Sequence, residues 1–283
     1  TERRGGVPSR AMSAPEFVHL HVHSEYSLLD GANRIGSMVK ACVEDGQTAL
    51  ALTDHGNMFG AIELYKTCQS NGIKPIVGCE VYVAKRTRHQ PHNRTDNGYH
   101  HLTLLARNET GYRNMLKIAS TAYVEGYHTR PRIDKEYLWQ HAEGISCLSG
   151  CLAGEINQLF LRGDEEGAER VAAEFRDLFG ARHFWLELQR NGIDLQVRAN
   201  EAMHRLHQRT GIPLVATNDI HYLRHEDCAA QDVLLCINTG AKRADEKRFR
   251  FETDALYFRD RLELGETFRA PPRPLPATPH MAP

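Results

Sequence analysis

The sequence lacks the features of membrane, secreted and strongly charged proteins. No apolar run among its 283 residues reaches the roughly 20 residues of a transmembrane helix, and the N-terminus has no apolar signal-peptide segment. The seven cysteines are odd in number and irregularly spaced, which argues against a disulfide framework. A formal net charge of -1 excludes the global basic character that drives non-specific binding to nucleic acid. We therefore expect a cytoplasmic protein without a membrane partner, whose contacts with nucleic acid are local or mediated by bound metal.

The composition is that of an ordinary globular protein apart from its histidines. Hydrophobic residues make up 41% and charged residues 25% of the chain, whose length suits one large α/β domain or two small ones. Most of the informative histidines, out of 16, stand at the ends of strand-like segments. Residues 1–15 are small, polar and interrupted by glycine and proline, and residues 270–283 are proline-rich. We expect a disordered leader at 1–15, a single domain at 16–260 and an unfolded tail at 261–283.

Strand-like and helix-like segments alternate along the chain. The strand-like segments are residues 17–23, 48–53, 74–84, 99–106, 145–148, 183–188 and 213–217. Helical periodicity is found at residues 35–44, 61–70, 109–125, 134–141, 153–161, 165–179, 195–210 and 227–238. This alternation predicts an α/β fold of parallel strands joined by helices, and a closed or nearly closed seven-stranded barrel explains it better than an open sheet. No glycine-rich dinucleotide fingerprint follows the first strand, which argues against a Rossmann fold.

The first strand carries three histidines at alternate positions, His19, His21 and His23. Side chains of an extended strand alternate between its faces, so we expect the three imidazoles on one face. Neutral imidazole binds zinc, iron, copper and nickel, and such a row indicates a metal site. The alternative is a polar strand whose histidines coincide by chance, because short motifs carry false positives.

Ligand-type side chains recur where the other predicted strands begin or end. In β/α barrels the loops at the carboxyl ends of the strands converge, so residues far apart in sequence meet in one cluster. The candidates are His21, His23, Asp30, His55, Glu80, His101, Cys151, Asp219 and His221. A catalytic zinc ion takes three protein ligands and a water, so this many groups predict two or three divalent ions with a bridging carboxylate or water. Glu80 is hard to dismiss, because a buried carboxylate without a partner is energetically costly.

Three of the candidates have competitors. His55 could merely cap a turn, with the adjacent Asp54 as the functional residue. His100 competes with His101, because alternation lets only one of them face the barrel interior. Cys151 alone is more often a buried small hydrophobic residue than a ligand.

Six stretches of the sequence resemble one known family. They are HLHVHSEYSLLDG, LTDHGNMFGAIELYK, KPIVGCEVYVA, HLTLLARNETGYRNMLKIAS, LSGCLAGEI and ATNDIHY, and the resemblance covers residues 17–259. They are similar to the polymerase and histidinol phosphatase (PHP) domain, specifically the branch at the N-terminus of the bacterial DNA polymerase III alpha subunit. The resemblance implies a distorted seven-stranded β/α barrel that holds up to three metal ions, zinc or manganese, through nine residues. Position by position, these are the candidates collected above, with His19 deeper in the barrel.

The resemblance also implies a function. Family members that keep the full ligand set are 3′-5′ exonucleases, so we expect metal-dependent phosphodiester hydrolysis at a DNA primer 3′ end, in DNA replication and proofreading. Glu80 is the candidate bridging ligand between two ions, and Asp219 and His221 complete the pocket. The expected partners are DNA, the remaining polymerase domains and other replisome subunits. The alternatives are a non-catalytic domain that supports the polymerase, and a free-standing phosphatase of histidinol-phosphatase type, which GYRNMLKIAS, EGYHTRPRID and RFRFETDALYF disfavour.

Two features limit the resemblance. Alpha subunits continue into palm, fingers and thumb domains that carry the polymerase aspartates, and this sequence stops before them, so we expect no polymerase activity. After about Arg259 a different, proline-rich sequence replaces the family pattern, and our hypothesis is a truncated or frame-shifted gene or a fragment.

The loop at residues 85–97 is basic and has no helical periodicity. Its basic side chains are Lys85, Arg86, Arg88 and Arg94. They could help to draw in a phosphate, or they could form an ordinary solvated loop.

Overall fold

The computed structural model describes residues 16–89 and 98–269. At the centre of its sheet, strand β2 (Lys74–Ala84) pairs with three other strands. The others are β1 (Ala49–Leu52), β3 (Tyr99–Ala106), β4 (Tyr127–His128), β5 (Arg130–Ile133), β6 (Ile145–Leu148), β7 (Phe184–Gln189) and β8 (Leu214–Thr217). Strand β2 pairs in parallel with β1 over residues 74–77 and with β5 near its own end. It pairs with β3 in antiparallel orientation, and the sheet continues from β3 through β6, β7 and β8.

The segment at residues 17–23 closes this sheet into a barrel. His19 forms a bridge to Leu50 of β1, and Val22 forms a bridge to Ile220 just beyond β8. Seven chain segments therefore surround one interior, and the predicted distorted seven-stranded α/β barrel is confirmed. The first segment makes only isolated bridges, so the prediction of a continuous strand at residues 17–23 is wrong.

Strand β3 runs opposite to its neighbours β2 and β6, which corrects the expectation that all strands are parallel. Parallel strands need a long crossover, usually a helix, and the sequence between β2 and β3 carries no helical periodicity. A strand that follows without such a crossover returns antiparallel. Strand β3 therefore begins at the barrel edge at which β2 ends, and side chains near its start face the same mouth as those at the ends of the parallel strands.

The helices pack around the barrel and begin where local sequence signals place them. They are α1 (Ile35–Asp45), α2 (Ala61–Ser70), α3 (Glu109–Val124), α4 (Lys135–His141), α5 (Glu155–Leu161), α6 (Glu165–Phe179), α7 (Asp194–Thr210), α8 (Cys228–Thr239) and α9 (Arg261–Arg269). The side chains of Asn108, Asp134 and Asp164 accept a hydrogen bond from the backbone N–H three residues further on, at the starts of α3, α4 and α6. Up to α8, the predicted helix ends differ from these bounds by at most two residues.

Two elements depart from the prediction. Helix α9 lies in the tail that we expected to be unfolded from residue 261, and its Leu264 is buried, so that expectation is wrong for residues 261–269. Residues 1–15 and 270–283 lie outside the described residues, and the leader and the rest of the tail stay predictions. Strands β4 and β5 form a short hairpin for which the sequence predicts no element. None of the helices in the described ranges has the length and apolar character that a membrane crossing needs.

Because side chains alternate along the strands, one set packs under the helices and the other fills the barrel interior, which changes from apolar to polar along the barrel. Outward-facing Cys79, Val81 and Val83 of β2 join a large apolar core under the helices. Inside the barrel, an apolar layer is formed by Leu20, Ala51, Ile76, Leu105, Leu148, Trp185 and Val215. Two to four positions further along the same inner faces stand the buried polar residues Glu80, Thr103, Glu187 and Thr217. The interior thus becomes polar toward the mouth at which the parallel strands end.

Candidate metal centre

All the candidate ligands lie at this mouth of the barrel. Three groups bring ligand atoms within 4.8 Å of one another, namely His23, His55 and His221; His21, His23 and Asp219; and His55, Glu80 and His101. Asp30 joins them because its Oδ2 lies 3.2 Å from Nε2 of His55. Cys151 joins them because its Sγ lies 3.7 Å from Nδ1 of His101. The structure therefore brings every residue of the predicted set into one cluster.

Glu80 lies at the centre of this cluster and is 1% exposed. Its Oε1 lies 3.3 Å from Nε2 of His21 and 3.0 Å from Nδ1 of His101. Its Oε2 lies 2.6 Å from Nδ1 of His55 and 3.6 Å from Nε2 of His23. The two oxygens of one carboxylate face two different pairs of histidines, which suits a carboxylate that bridges two ions.

Asp219 closes the cluster on the side of the segment that follows β8. Its Oδ1 lies 3.2 Å from Nε2 of His23 and 3.7 Å from Nδ1 of His221. Its backbone φ of 56° falls in the left-handed region, which is uncommon for a residue other than glycine. Backbone strain of this kind collects at functional sites.

Several buried atoms of the cluster have no hydrogen-bond partner within the described ranges. They are Nε2 of His21, Nε2 of His23, Nδ1 of His55, Oε2 of Glu80 and Oδ1 of Asp219. Some of them approach one another closely, as Nδ1 of His55 and Oε2 of Glu80 do at 2.6 Å, but without the alignment of a hydrogen bond. Buried polar atoms in native proteins are nearly always satisfied, so a set that converges on one small space calls for a ligand from outside the chain. Imidazole nitrogens and carboxylate oxygens are common ligands of divalent metal ions, and a donor set that converges in this way fits such ions.

The pKa values of the cluster are set by burial and by the charges of neighbouring groups. Burial disfavours the charged form of Glu80, but the neighbouring histidines, His101 foremost, outweigh it and hold the pKa of this carboxyl well below its usual range. The pKa of Asp219 is lowered in the same way, against the effect of burial. Burial, aided by the two carboxylates, raises the pKa of the Cys151 thiol well above its ordinary value. The carboxylates are therefore ionised, whereas Cys151 has to release a proton when it binds a metal ion. The same holds for His21 and His55, because neighbouring anionic groups raise their pKa values well above the ordinary value against the effect of burial.

A carboxylate behind the cluster orients His21. Nδ1 of His21 donates to Oε1 of Glu187 at 2.6 Å, and Glu187 in turn accepts hydrogen bonds from Thr217 Oγ1 and from the amide of Gly150. This contact leaves Nε2 as the atom that His21 directs at the cluster. A carboxylate on the far nitrogen is the usual support of a metal-binding histidine.

His23 is oriented by a serine and an aspartate. Its Nδ1 lies 2.9 Å from the hydroxyl of Ser27, and that hydroxyl donates to Oδ1 of Asp54 at 2.7 Å. Asp54 also accepts hydrogen bonds from the amide and the hydroxyl of Ser24. Asp54, the competitor of His55 in the sequence, therefore supports the cluster from behind, and it is His55 that faces the cluster.

Two histidines that stand next to candidate ligands in the sequence lie outside the cluster. Nε2 of His19 lies 2.9 Å from the carbonyl oxygen of Arg259, so the expectation that His19 shares a face with His21 and His23 is wrong. Alternation holds only in a regular strand, and the segment at residues 17–23 is not one. His100 stands on the outer face of β3, where burial lowers its pKa to about 4.

One basic side chain of the loop at residues 85–97, that of Arg88, is paired with acidic residues of the fold. Arg88 forms ion pairs with Asp134 at 3.1 Å and with Glu125 at 2.8 Å, so its charge is used within the fold. Arg94 lies outside the described residues.

Sequence reasoning missed Glu187. In β7, whose sequence is FWLELQ, alternation places Glu187 on the inner face together with Trp185 and Gln189. A buried carboxylate within an apolar strand is the signal that identified Glu80, and it applies equally here.

Glu187→Gln is expected to weaken metal binding by about 10- to 100-fold, because the amide removes the negative charge that orients His21 and strengthens its ligation. The measurement is a competition titration against a metal chelator. Glu165→Gln makes the same chemical change at a surface ion pair with Arg205 and serves as the control. An unchanged affinity in Glu187→Gln would show that this carboxylate does not support the metal centre.

The chain is similar to one protein family, to curated proteins of that family and to a solved structure. The model of the PHP domain family matches residues 19–191. The DNA polymerase III subunit alpha of Treponema pallidum (strain Nichols) is 48% identical over 91% of this chain and 22% of its own length. The corresponding subunit of Borreliella burgdorferi is 45% identical over 94% of this chain and 23% of its own length. The chain thus spans about a fifth of the length of these curated relatives. Among solved structures, an amidohydrolase from Chromobacterium violaceum is similar with a TM-score of 0.45 and 16% identity, over 72% of this chain and 87% of that protein.

Proposed function

Because this chain belongs to the PHP domain family, we propose that the cluster is the metal centre of a phosphodiesterase that removes nucleotides from DNA 3′ ends. The observation that carries the proposal is the set of unpartnered buried nitrogen and oxygen atoms that converge at an accessible mouth. Similarity to DNA polymerase III alpha subunits supports DNA as the substrate and proofreading as the role. The proposed activity is therefore a 3′-5′ exonuclease within DNA replication.

We propose that this centre holds two or three divalent ions, with zinc as the first choice and manganese as the second. The proposed ligands are His21, His23, Asp30, His55, Glu80, His101, Cys151, Asp219 and His221. A set rich in imidazole with one thiol suits zinc, and its three carboxylates also suit manganese. When bound, such ions lower the pKa of water and neutralise the charge that develops on a phosphoryl group.

The residues of the chain have separate parts in this proposal. Glu80, as the buried bridging ligand, holds the histidines on both of its sides in one orientation. Asp219 and His221 complete the pocket opposite to it. Asp30 and His101 keep 19% and 17% of their side-chain surface exposed, and they mark the side from which a phosphodiester enters.

The proposed setting is that of a replication protein. The partners are the primer 3′ end, the other domains of the polymerase and further replisome subunits, since the curated relatives are far longer than this chain. All seven cysteines lie in the described ranges and are free, which supports a reducing compartment and hence the cytoplasm.

The test is the release of nucleotides from a labelled primer in the presence of Zn²⁺ or Mn²⁺. The wild-type chain is expected to shorten the primer from its 3′ end, and His23→Ala is expected to lose this activity, because it removes a buried ligand shared by two groups of the cluster. His204→Ala, which changes an exposed histidine of α7, is the matched control and is expected to retain it. Metal-loaded protein that releases no nucleotide, with His23→Ala no different, would leave the domain a purely structural role in the polymerase.

A further inference from the structure

Two phenylalanine rings lead from the metal centre to the surface. The ring centroid of Phe251 lies 5.1 Å from that of His221, and the ring of Phe249 lies 5.7 Å from Phe251. Phe249 is 55% exposed. Aromatic side chains normally gain much of their stabilisation from burial, so the exposed ring of Phe249, which only Phe251 separates from a cluster histidine, is available for a ligand.

The segment that carries these rings is basic. Residues 242–251 (KRADEKRFRF) hold five basic side chains against two acidic ones, in a chain whose net charge is -1. Lys247 and Arg250 are exposed next to Phe249. We refer to residues 247–251 as the Phe249 strip. Surfaces that bind single-stranded nucleic acid combine rings on which bases stack with cations that contact the phosphates, and the strip offers both.

Helix α8 holds the strip and the metal centre in a fixed relation. Arg248 donates two hydrogen bonds, at 2.6 and 2.8 Å, to the carboxylate of Asp232 in α8. The preceding residue of the helix, Gln231, donates to the backbone carbonyl and to Oδ1 of Asp30 at 3.1 and 3.2 Å. One turn of α8 therefore fixes both a candidate ligand and the base of the strip.

We propose that the Phe249 strip is a stacking platform for the unpaired bases of a single-stranded DNA 3′ end, and that it guides this end to the metal centre. The inference rests on the proposed function for the reaction, although binding to the strip requires no hydrolysis. A ring can stack only on a free base face, and in a duplex the neighbouring base pairs cover both faces. The strip therefore selects a frayed or mismatched 3′ end over a paired one.

The binding experiment uses the full chain and a fluorescent single-stranded oligothymidylate whose 3′-terminal linkage is a phosphorothioate that slows hydrolysis. Fluorescence anisotropy, with and without Mn²⁺, gives the affinity. Phe249→Ala is expected to weaken binding about tenfold, and Phe249→Trp is expected to retain it. Truncation of an exposed ring leaves no core cavity, so the variant keeps the fold. The matched control is Phe59→Ala, which removes a ring that is 59% exposed and packs beside Tyr123, and it is expected to bind as the wild type does.

Two further measurements separate stacking from charge and from the reaction. Arg250→Gln is expected to weaken binding and to reduce the slope of log affinity against log salt by about one. The wild type is expected to prefer a primer–template with an unpaired 3′ end to one with a paired end, and Phe249→Ala is expected to lose this preference. Equal affinity of Phe249→Ala and the wild type, or an equal loss in Phe59→Ala, overturns the proposal. A chain that shows the Phe249 dependence but releases no nucleotide refutes the proposed hydrolysis alone.

Discussion

Glu80→Gln is expected to lower metal-dependent nucleotide release by at least about 10³-fold, equivalent to roughly 4 kcal/mol of lost transition-state stabilisation. The carboxylate is buried, and its two oxygens approach His21 and His101 on one side and His23 and His55 on the other. An amide removes the negative charge from this position and replaces one acceptor oxygen by an N–H donor, which cannot ligate a cation. Bound metal is expected to fall together with the rate.

Elemental analysis after gel filtration and the initial rate on a labelled primer are the two measurements for Glu80→Gln. Glu63→Gln changes a surface carboxylate that accepts a hydrogen bond from Tyr26 at 3.0 Å, and it is expected to keep the wild-type metal content and rate. Circular dichroism establishes that both variants are folded. A Glu80→Gln protein that retains full metal content and full rate would exclude Glu80 as a bridging ligand.

Local signals carried most of the fold prediction. The bounds of α2, β2 and β3 match the sequence-based segments residue for residue, because apolar periodicity and terminal glycine or asparagine residues act over a few neighbours. The direction of β3 and the β4–β5 hairpin depend instead on pairings between segments, and periodicity contains no information on a strand's partner. The irregular form of the first segment could not be predicted for the same reason, because its bridges join His19 and Val22 to positions far along the chain.

In the candidate site, too, the sequence predicted some residues and not others. Metal-binding chemistry is confined to a few residue types, so their recurrence at strand ends identified the set that the structure gathers at one mouth. Alternation along β3 also explains why His101 faces the cluster and His100 does not. The residues that orient the candidate ligands could not be predicted from the sequence in this way. Glu187 contacts His21, for example, although the two residues are 166 positions apart in the sequence. The Ser27–Asp54 pair behind His23 likewise required coordinates.

Adding Zn²⁺ or Mn²⁺ to chelator-stripped protein is expected to raise the thermal midpoint by on the order of 10 °C. An ion that binds only the folded state stabilises it by about 4 kcal/mol at a free concentration 1,000 times its dissociation constant. For a domain of this size, each kcal/mol corresponds to roughly 2–4 °C. The unfolded chain competes poorly for the ion, because the candidate ligands extend from His21 to His221 and meet only when the barrel closes.

Calorimetry with and without chelator gives the shift, and two variants locate its origin. Glu63→Gln is expected to show the full metal-dependent shift, whereas Glu80→Gln is expected to lose most of it, since its cluster lacks the central carboxylate. The stripped wild type is expected to remain folded at room temperature, because the outer core under the helices and the apolar layer inside the barrel do not depend on the ions. Identical melting curves for stripped and metal-loaded wild type would show that the converging nitrogen and oxygen atoms do not hold a metal ion.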